Sequence, residues 1–176
     1  ELAGSGADKI LNIQEEKLNT FTNTAYASAI AQLCERENAG VVILSNSFSG
    51  KGLAPVLSVK LQAAVAAGAV ELPNIEGGKF TVRKMTFSGK AFASVELLSD
   101  KKIITLSPNS FSVIKEAVTP VIEQVEVNVS DSELNVTVKE SIRAANKISL
   151  PEAEIVVSGG RGLKGPENWP VLEALA

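Results

Sequence analysis

The stretch GVVILSNS, residues 40–47, limits the fold more than any other part of the chain. A continuous run of β-branched and aliphatic residues between a glycine and a polar pair reads as a strand covered on both faces, as in parallel sheets. An amphipathic helix precedes it. In TNTAYASAIAQLCEREN, residues 22–38, Ala25, Tyr26, Ile30, Leu33 and Cys34 recur at three-to-four spacing, Thr22 or Asn23 is a candidate cap, and Gly40 ends the pattern. KILNI (9–13) is strand-like, and FSGKGLAP leads into a second helix, LAPVLSVKLQAAVAA (53–67). Strand, helix, strand, helix implies an α/β fold whose parallel strands are joined by right-handed crossovers.

The pattern then changes. FTVRKMTF (80–87) and KAFASVEL (90–97) alternate and are joined at Ser88-Gly89, which predicts a hairpin with a two-residue turn and makes the sheet mixed. KIITLSPNSF (102–111) reads as a buried strand stopped by Pro108, and VIEQVEVNV and ELNVTVKES as two further extended segments. Between Lys139 and Pro151 the chain turns polar, so a domain boundary is placed near Leu150, and EIVV (154–157) reads as a buried strand beyond it. The start, LAGSGADKILNI, lacks a methionine and resembles a helix end entering a strand, from which an earlier part of the domain is expected to be missing.

Composition removes several function classes. With 17 Lys and Arg against 20 Asp and Glu, a net charge of −3, and no basic cluster, nothing supports nucleic-acid binding. No apolar run approaches the roughly 20 residues of a membrane-spanning helix and no signal segment opens the chain, so it reads as soluble and intracellular, with no direct membrane insertion. The absence of histidine excludes histidine-based catalysis and removes the commonest zinc ligand, and one cysteine cannot make a thiolate site, so the composition argues against a transition-metal centre. Cys34 reads as a small buried apolar residue. The sequons at Asn128 and Asn135 read as chance matches.

Three glycine patterns could carry chemistry. Ser49-Gly50-Lys51 and Ser88-Gly89-Lys90 lack the phosphate-loop spacing and read as turns. The third, Gly160-Arg161-Gly162-Leu163-Lys164-Gly165, satisfies G-x-G-x-x-G directly after the EIVV strand, a spacing that lets backbone approach a pyrophosphate at a helix start. Pro166 and Pro170 are unusual there, and the expected acidic partner about 20 residues on would lie beyond Ala176. Spacing alone leaves both a nucleotide site and a plain strand-to-helix turn open.

VVSGGRGLKGPENWPVLEALA is similar to the segment that opens the second domain of the electron-transfer flavoprotein alpha-subunit family, and SNSFSGKGLAPVLSVKLQAA and FTVRKMTFSGKAFASVEL resemble two stretches of that family's first domain. The three lie in the family's order, between Ser45 and Ala176. The resemblance implies a nucleotide-hydrolase-like α/β first domain over 1–150, a mostly parallel sheet flanked by helices with an added antiparallel hairpin. Over 151–176 it implies the first strand and turn of a second, FAD-binding α/β domain, truncated. It also implies an electron carrier rather than a substrate-converting enzyme. The carrier would hold one FAD with a beta subunit, take electrons from flavin dehydrogenases such as acyl-CoA dehydrogenases, and pass them to a membrane quinone reductase or other acceptor. Its place would be the bacterial cytoplasm, or the mitochondrial matrix in a eukaryote.

The family's later flavin motifs, a Gly-Ala-Ser-Arg, a Gln-Thr-Gly and an Ile-Ser-Gly stretch, would fall after Ala176, so the chain reads as a fragment to which no FAD is expected to stay bound. Arg161 matches the family arginine that contacts FAD, and Gly159, Gly160 and Gly162 would let the backbone come close to it. Lys164 reads as a surface charge and Trp169 as a packing residue rather than a stacking partner for flavin. The rival reading is a cofactor-free scaffold or interaction module. A hydrolase ranks third, since no nucleophile with a base is visible.

Overall fold

The computed structural model describes residues 4–134, 136–140, 150, 153 and 155–176. The chain divides into two compact units, Glu1–Ser141 and Ile142–Ala176. In the first, β1 (Lys9–Ile13) is followed by a 3-10 turn at Glu16–Leu18, α1 (Asn23–Arg36), β2 (Val41–Ser45) and α2 (Phe48–Leu61). Then come β3 (Ala64–Ala69), β4 (Asn74–Glu76), β5 (Lys79–Thr86), β6 (Ala91–Glu96), β7 (Lys102–Leu106) and β8 (Val121–Val125). One sheet runs β2-β7-β3-β5-β4, with β6 also on β5, and β1 pairs with β8 as a separate parallel ribbon. The β2–β7, β3–β7 and β1–β8 pairings are parallel, and those of β5 with β3, β4 and β6 are antiparallel. The expected fold, α/β with a mostly parallel mixed sheet, helices and an added hairpin, is therefore the one observed.

Its core has two sides. On one, Ile103 of β7 packs with Leu53, Leu57 and Leu61 of α2 and Ala27, Ala31 and Cys34 of α1. On the other, Ile104 packs with Ala66 and Ala69 of β3, Val82 of β5 and Leu97 just after β6. Both long helices thus cover one face, and the hairpin closes the other. Ala27 and Ala31 are the alanines of α1 that face this core, and Ala25 and Ala29, two positions off in register, are buried on another side of the helix. Small side chains let this helix approach closely, so α1 and α2 share one core.

Several expectations are corrected. The run at 40–47 does form β2, but at the sheet edge: Val41 and Ile43 are 41% and 59% exposed, and β7 is the strand covered on both faces. The second helix begins at Phe48 and ends at Leu61, so Ser49-Gly50-Lys51 lies in its first turn rather than in a loop. A Cβ on Gly50 would collide with the Ser45 carbonyl oxygen, so glycine is what lets α2 start directly off β2. Gln62, in the left-handed region at φ 52°, stops α2, and AVAAGA becomes β3 instead of more helix. Pairing with β7 and β5 outweighs alanine's preference for helix, and its small side chains suit the crowded middle of a sheet.

The hairpin at 80–97 is present, but Thr86 pairs with Ala91, so Phe87–Lys90 form a four-residue loop, with Phe87, Ser88 and Gly89 all at positive φ. ELNVTVKES yields no strand among its described residues: Asp131–Glu133 form a 3-10 turn, and Asn135, the first residue of its sequon, and Ser141 lie outside the described residues. The stretch 126–134 instead straps the two helices. Gln32 exchanges two hydrogen bonds with the Asn128 backbone, Lys17 pairs with Asp131 at 2.8 Å, and Lys60 of α2 pairs with Glu133 at 2.7 Å.

In the second unit the described elements are 3-10 turns at Arg161–Leu163 and Pro166–Asn168 and the short helix α3 (Pro170–Glu173). EIVV was expected to be a buried strand. Glu154 lies outside the described residues, and Ile155 to Val157 form no strand, Ile155 being 86% exposed. A strand needs a neighbour for its backbone groups, and among the described residues of this unit none pairs with these three.

The Glu133 strap should be pH-sensitive. The Lys60 ammonium, with further hydrogen bonds from Ser28 and the Ser130 backbone, holds the Glu133 carboxyl down at about 2. A depressed folded-state value means stability that is present above the unfolded carboxyl value of about 4.3 and is lost as pH falls toward about 2. Glu133→Gln should lower the melting temperature by about 2–4 °C at pH 7, and the gap to the unaltered chain should close in thermal melts taken down to about pH 2.5. An unchanged gap across that range would show that the pair contributes nothing.

Candidate functional site

The glycine-rich turn of the second unit is a local structure held by its own backbone. Gly160 is extended, the chain then tightens into the Arg161–Leu163 turn, and Lys164 takes a positive φ of 66°. Leu163 N–H donates to Gly160 C=O at 3.0 Å and Gly165 N–H to Leu163 C=O at 2.8 Å. The Asn168 side-chain amide donates to the Leu163 carbonyl at 2.7 Å, which ties the first turn to the second. Pro166 opens that second turn, where its missing N–H is no loss.

Gly159 and Gly160 do different things. A Cβ on Gly159 would run into Leu163 Cδ1 and stand 2.6 Å from Leu172 Cδ1, so its bareness lets two leucines close against the turn. At Gly160 and Gly162 nothing lies within 4 Å of where a Cβ would be, so their backbone is open to an incoming group. Gly159, Gly160 and Arg161 line one depression of about 290 Å³, together with Leu163, Lys164, Gly165, Pro166 and Trp169. Gly162 does not line it.

Lys164 and Trp169, which sequence reasoning set aside as surface charge and packing residue, thus share a surface with Arg161, and the indole is 53% exposed. The signal for them was present: the two turns fold the five residues after Lys164 back toward Arg161. A guanidinium fork, accessible glycine backbone and a flat indole are a donor set and surface that fit one side of a flavin nucleotide. They fit it as one wall. An open depression of about 290 Å³ does not enclose such a ligand.

Other chemistry finds little footing. Among the described residues no grouping of His, Cys, Asp and Glu could hold a metal ion, and no helix is long and apolar enough to cross a membrane. Cys34 is buried in the helix-side core, where burial pushes its thiol up and away from the reactive thiolate.

Substitution separates the two glycines, and Trp169 is the only tryptophan available to report it. Gly159→Ala should displace Leu163 and Leu172, cost about 1–2 kcal/mol locally and shift Trp169 emission to longer wavelength. Gly160→Ala should leave the spectrum unchanged. Equal spectra for both variants would mean that Gly159 is not a packing glycine.

Comparison with known proteins extends this picture. The sequence model described as the electron transfer flavoprotein domain matches residues 1–130. Electron transfer flavoprotein subunit alpha of Bacillus subtilis (strain 168) is 32% identical over 179 residues, an alignment covering 100% of this chain and 54% of that protein. The subunit alpha of Syntrophomonas wolfei is 28% identical, covering 100% of this chain and 56% of that protein. Protein FixB of Clostridium saccharobutylicum is 27% identical, covering 100% and 54%. The chain spans about half the length of the curated relatives it matches.

Proposed function

Because the chain belongs to the electron transfer flavoprotein family, we propose that it serves as part of an alpha subunit whose task is to carry electrons rather than to convert a substrate. In this reading the complete subunit joins a beta subunit, holds one FAD, and works in the cytoplasm between flavin dehydrogenases, such as acyl-CoA dehydrogenases, and a membrane quinone reductase or other acceptor. The observation that carries it is the reach of the alpha-subunit similarity: it covers 100% of the chain and so includes the glycine turn and Arg161.

FAD supplies the electron-accepting chemistry, and the residues of this chain supply its setting. Arg161 offers a planar fork of donors and a positive charge. Gly160 and Gly162 present bare backbone, Gly159 keeps the turn closed over Leu163 and Leu172, and Trp169 adds a flat apolar flank. In the first unit, Met85, Phe87 and Phe92 are 46%, 77% and 55% exposed, an apolar surface of the kind that a permanent partner covers. A cofactor-free scaffold is the second reading, favoured by the openness of the depression around Arg161.

Flavin absorbance discriminates the two. The 176-residue chain purified alone should be colourless, and near-stoichiometric FAD on it would refute the view that the turn is one wall of a larger pocket. In a subunit of the relatives' full length, co-purified with its beta partner, yellow protein supports the carrier and colourless protein the scaffold.

Arg161 is tested in that same full-length pair. Arg161→Ala should weaken FAD binding by about 1.5–3 kcal/mol, the scale of a hydrogen bond to a charged group, and should lower the flavin reduction potential because a positive charge is lost. Arg161→Lys should recover part of the potential and less of the affinity, since it keeps the charge without the fork. If the alanine variant is folded with affinity and potential both unchanged, Arg161 is no flavin ligand and the turn is only structural.

A further inference from the structure

The first unit contains a cleft that shares no lining residue with the depression around Arg161. The 14-residue helices α1 and α2 begin side by side there: the Asn23 carboxamide lies against the backbone of α2, with Nδ2 and Oδ1 at 2.8 and 3.0 Å from where a Cβ on Gly52 would stand. α2 springs from the carboxyl end of β2, the side on which open α/β sheets hold their ligands. Between the helix starts opens a cleft of about 750 Å³, lined by Phe21, Thr22, Asn23, Phe48, Lys51 and Val56 among others.

Three independent features give this cleft a chemical character. The first is unsatisfied polarity. Thr22 stands at the cap position of α1 yet makes no capping hydrogen bond, it is 7% exposed, and its Oγ1 has no partner. Asn23 Oδ1 is the other buried side-chain atom in this state among the described residues, and both residues line the cleft. Buried polar atoms in folded proteins are nearly always paired, so two orphans on one cleft wall point to a partner outside the chain.

The second feature is charge. Helix amino ends carry partial positive charge and unpaired N–H groups, which acidic residues in the first turn commonly offset. Neither α1 nor α2 has an acidic residue in its first turn, and α2 places Lys51 there instead. Among the described residues no carboxylate lines the cleft. The third feature is an aromatic rim. Phe48 is 96% exposed and Phe21 37%, the latter braced by Tyr26 with ring centroids 4.7 Å apart.

We propose that this cleft binds an organic phosphate, with the phosphate at the amino ends of α1 and α2 and a flat apolar body against Phe21 and Phe48. The Thr22 hydroxyl donates to a phosphate oxygen. The Asn23 carboxamide, whose oxygen and nitrogen can exchange places by a half-turn, presents N–H to another. Lys51 supplies the formal charge, and the first-turn amides supply the rest. Every residue involved lies in the first unit, so the site stands or falls independently of Arg161.

The probe is phenyl phosphate, the simplest molecule carrying both halves, titrated into the full chain alongside inorganic phosphate and phenol and followed by the amide NMR signals of Asn23, Thr24 and Ser49. Phenyl phosphate should saturate these signals, bind roughly tenfold tighter than either half, and weaken as salt is raised. Lys51→Met should cost roughly tenfold in affinity, and Thr22→Val should cost severalfold while leaving the melting temperature equal or higher, because it removes an unpaired hydroxyl. Lys51 is exposed, so its variant carries the test even where the Thr22 variant fails to fold. The proposal is overturned by no saturation up to about 10 mM, by inorganic phosphate binding as tightly as phenyl phosphate, or by affinity that Lys51→Met leaves unchanged.

Discussion

Strand β7 is what the rest of the first unit depends on. It lies between β2 and β3, parallel to both, and Ile103, Ile104 and Thr105 are 0%, 1% and 0% exposed. Because side chains alternate along a strand, Ile103 serves the helix-side core and Ile104 the hairpin-side core, so one strand sets both layers. Thr105 points the same way as Ile103 and is the one buried polar side chain in the strand. Its hydroxyl donates to Asn46 Oδ1 at 2.8 Å and accepts from Gly68 N–H at 3.0 Å, which joins the carboxyl ends of β2, β7 and β3. Gly68, at a φ of 78° within a register shift of β3, brings its N–H to that hydroxyl. The network is fully paired, in contrast to Thr22 and Asn23 at the nearby helix starts. A hydrogen-bonded threonine in a strand buried on both faces stabilises, whereas an unpaired one costs, and the difference lies in whether the backbone of a neighbouring strand comes within reach.

Much of this was legible in the sequence. KILNI, the helix at 22–38, the strand within 40–47, the hairpin and KIITL were all found, because each combines a clear period with a glycine, proline or cap at its end. What failed had a common cause: long-range pairing decided the outcome. VVILS and KIITL look alike as apolar runs, and nothing local says that the second is central while the first sits at an edge. AAVAAGA carries strong helix formers and became strand because β7 and β5 flank it. Ser88-Gly89 looked like a two-residue turn, and only the pairing of Thr86 with Ala91 shows the loop to be longer.

The site was legible to a different degree. The spacing of Gly160, Gly162 and Gly165 left both nucleotide binding and a plain turn open, the turn being favoured, and resemblance rather than spacing singled out Arg161. The division of labour between Gly159 and Gly160 could not be read at all, because it depends on Leu163 and Leu172 folding back against one of them. Sequence leaves the cap of α1 between Thr22 and Asn23, and the structure gives that position to Thr22. That its hydroxyl caps nothing is a fact of geometry that no residue pattern carries.

The hairpin connects the core to the outer surface by a simple parity. Phe80 and Val82 on β5 and Val95 on β6, with Leu97 just after β6, face inward against β3 and β7. Arg83, Met85 and Phe92 must then face outward, since odd and even positions of paired strands point to opposite sides. The outward face does not lie bare: the Arg83 guanidinium stacks over Phe92 at 4.4 Å and pairs with Glu71 at 2.9 Å. Arg83 therefore holds one large apolar ring in place without covering its neighbours Met85 and Phe87. Any register slip that hid those side chains would drive Val82 into water and open the core, so the exposed apolar surface is a direct consequence of closing the sheet.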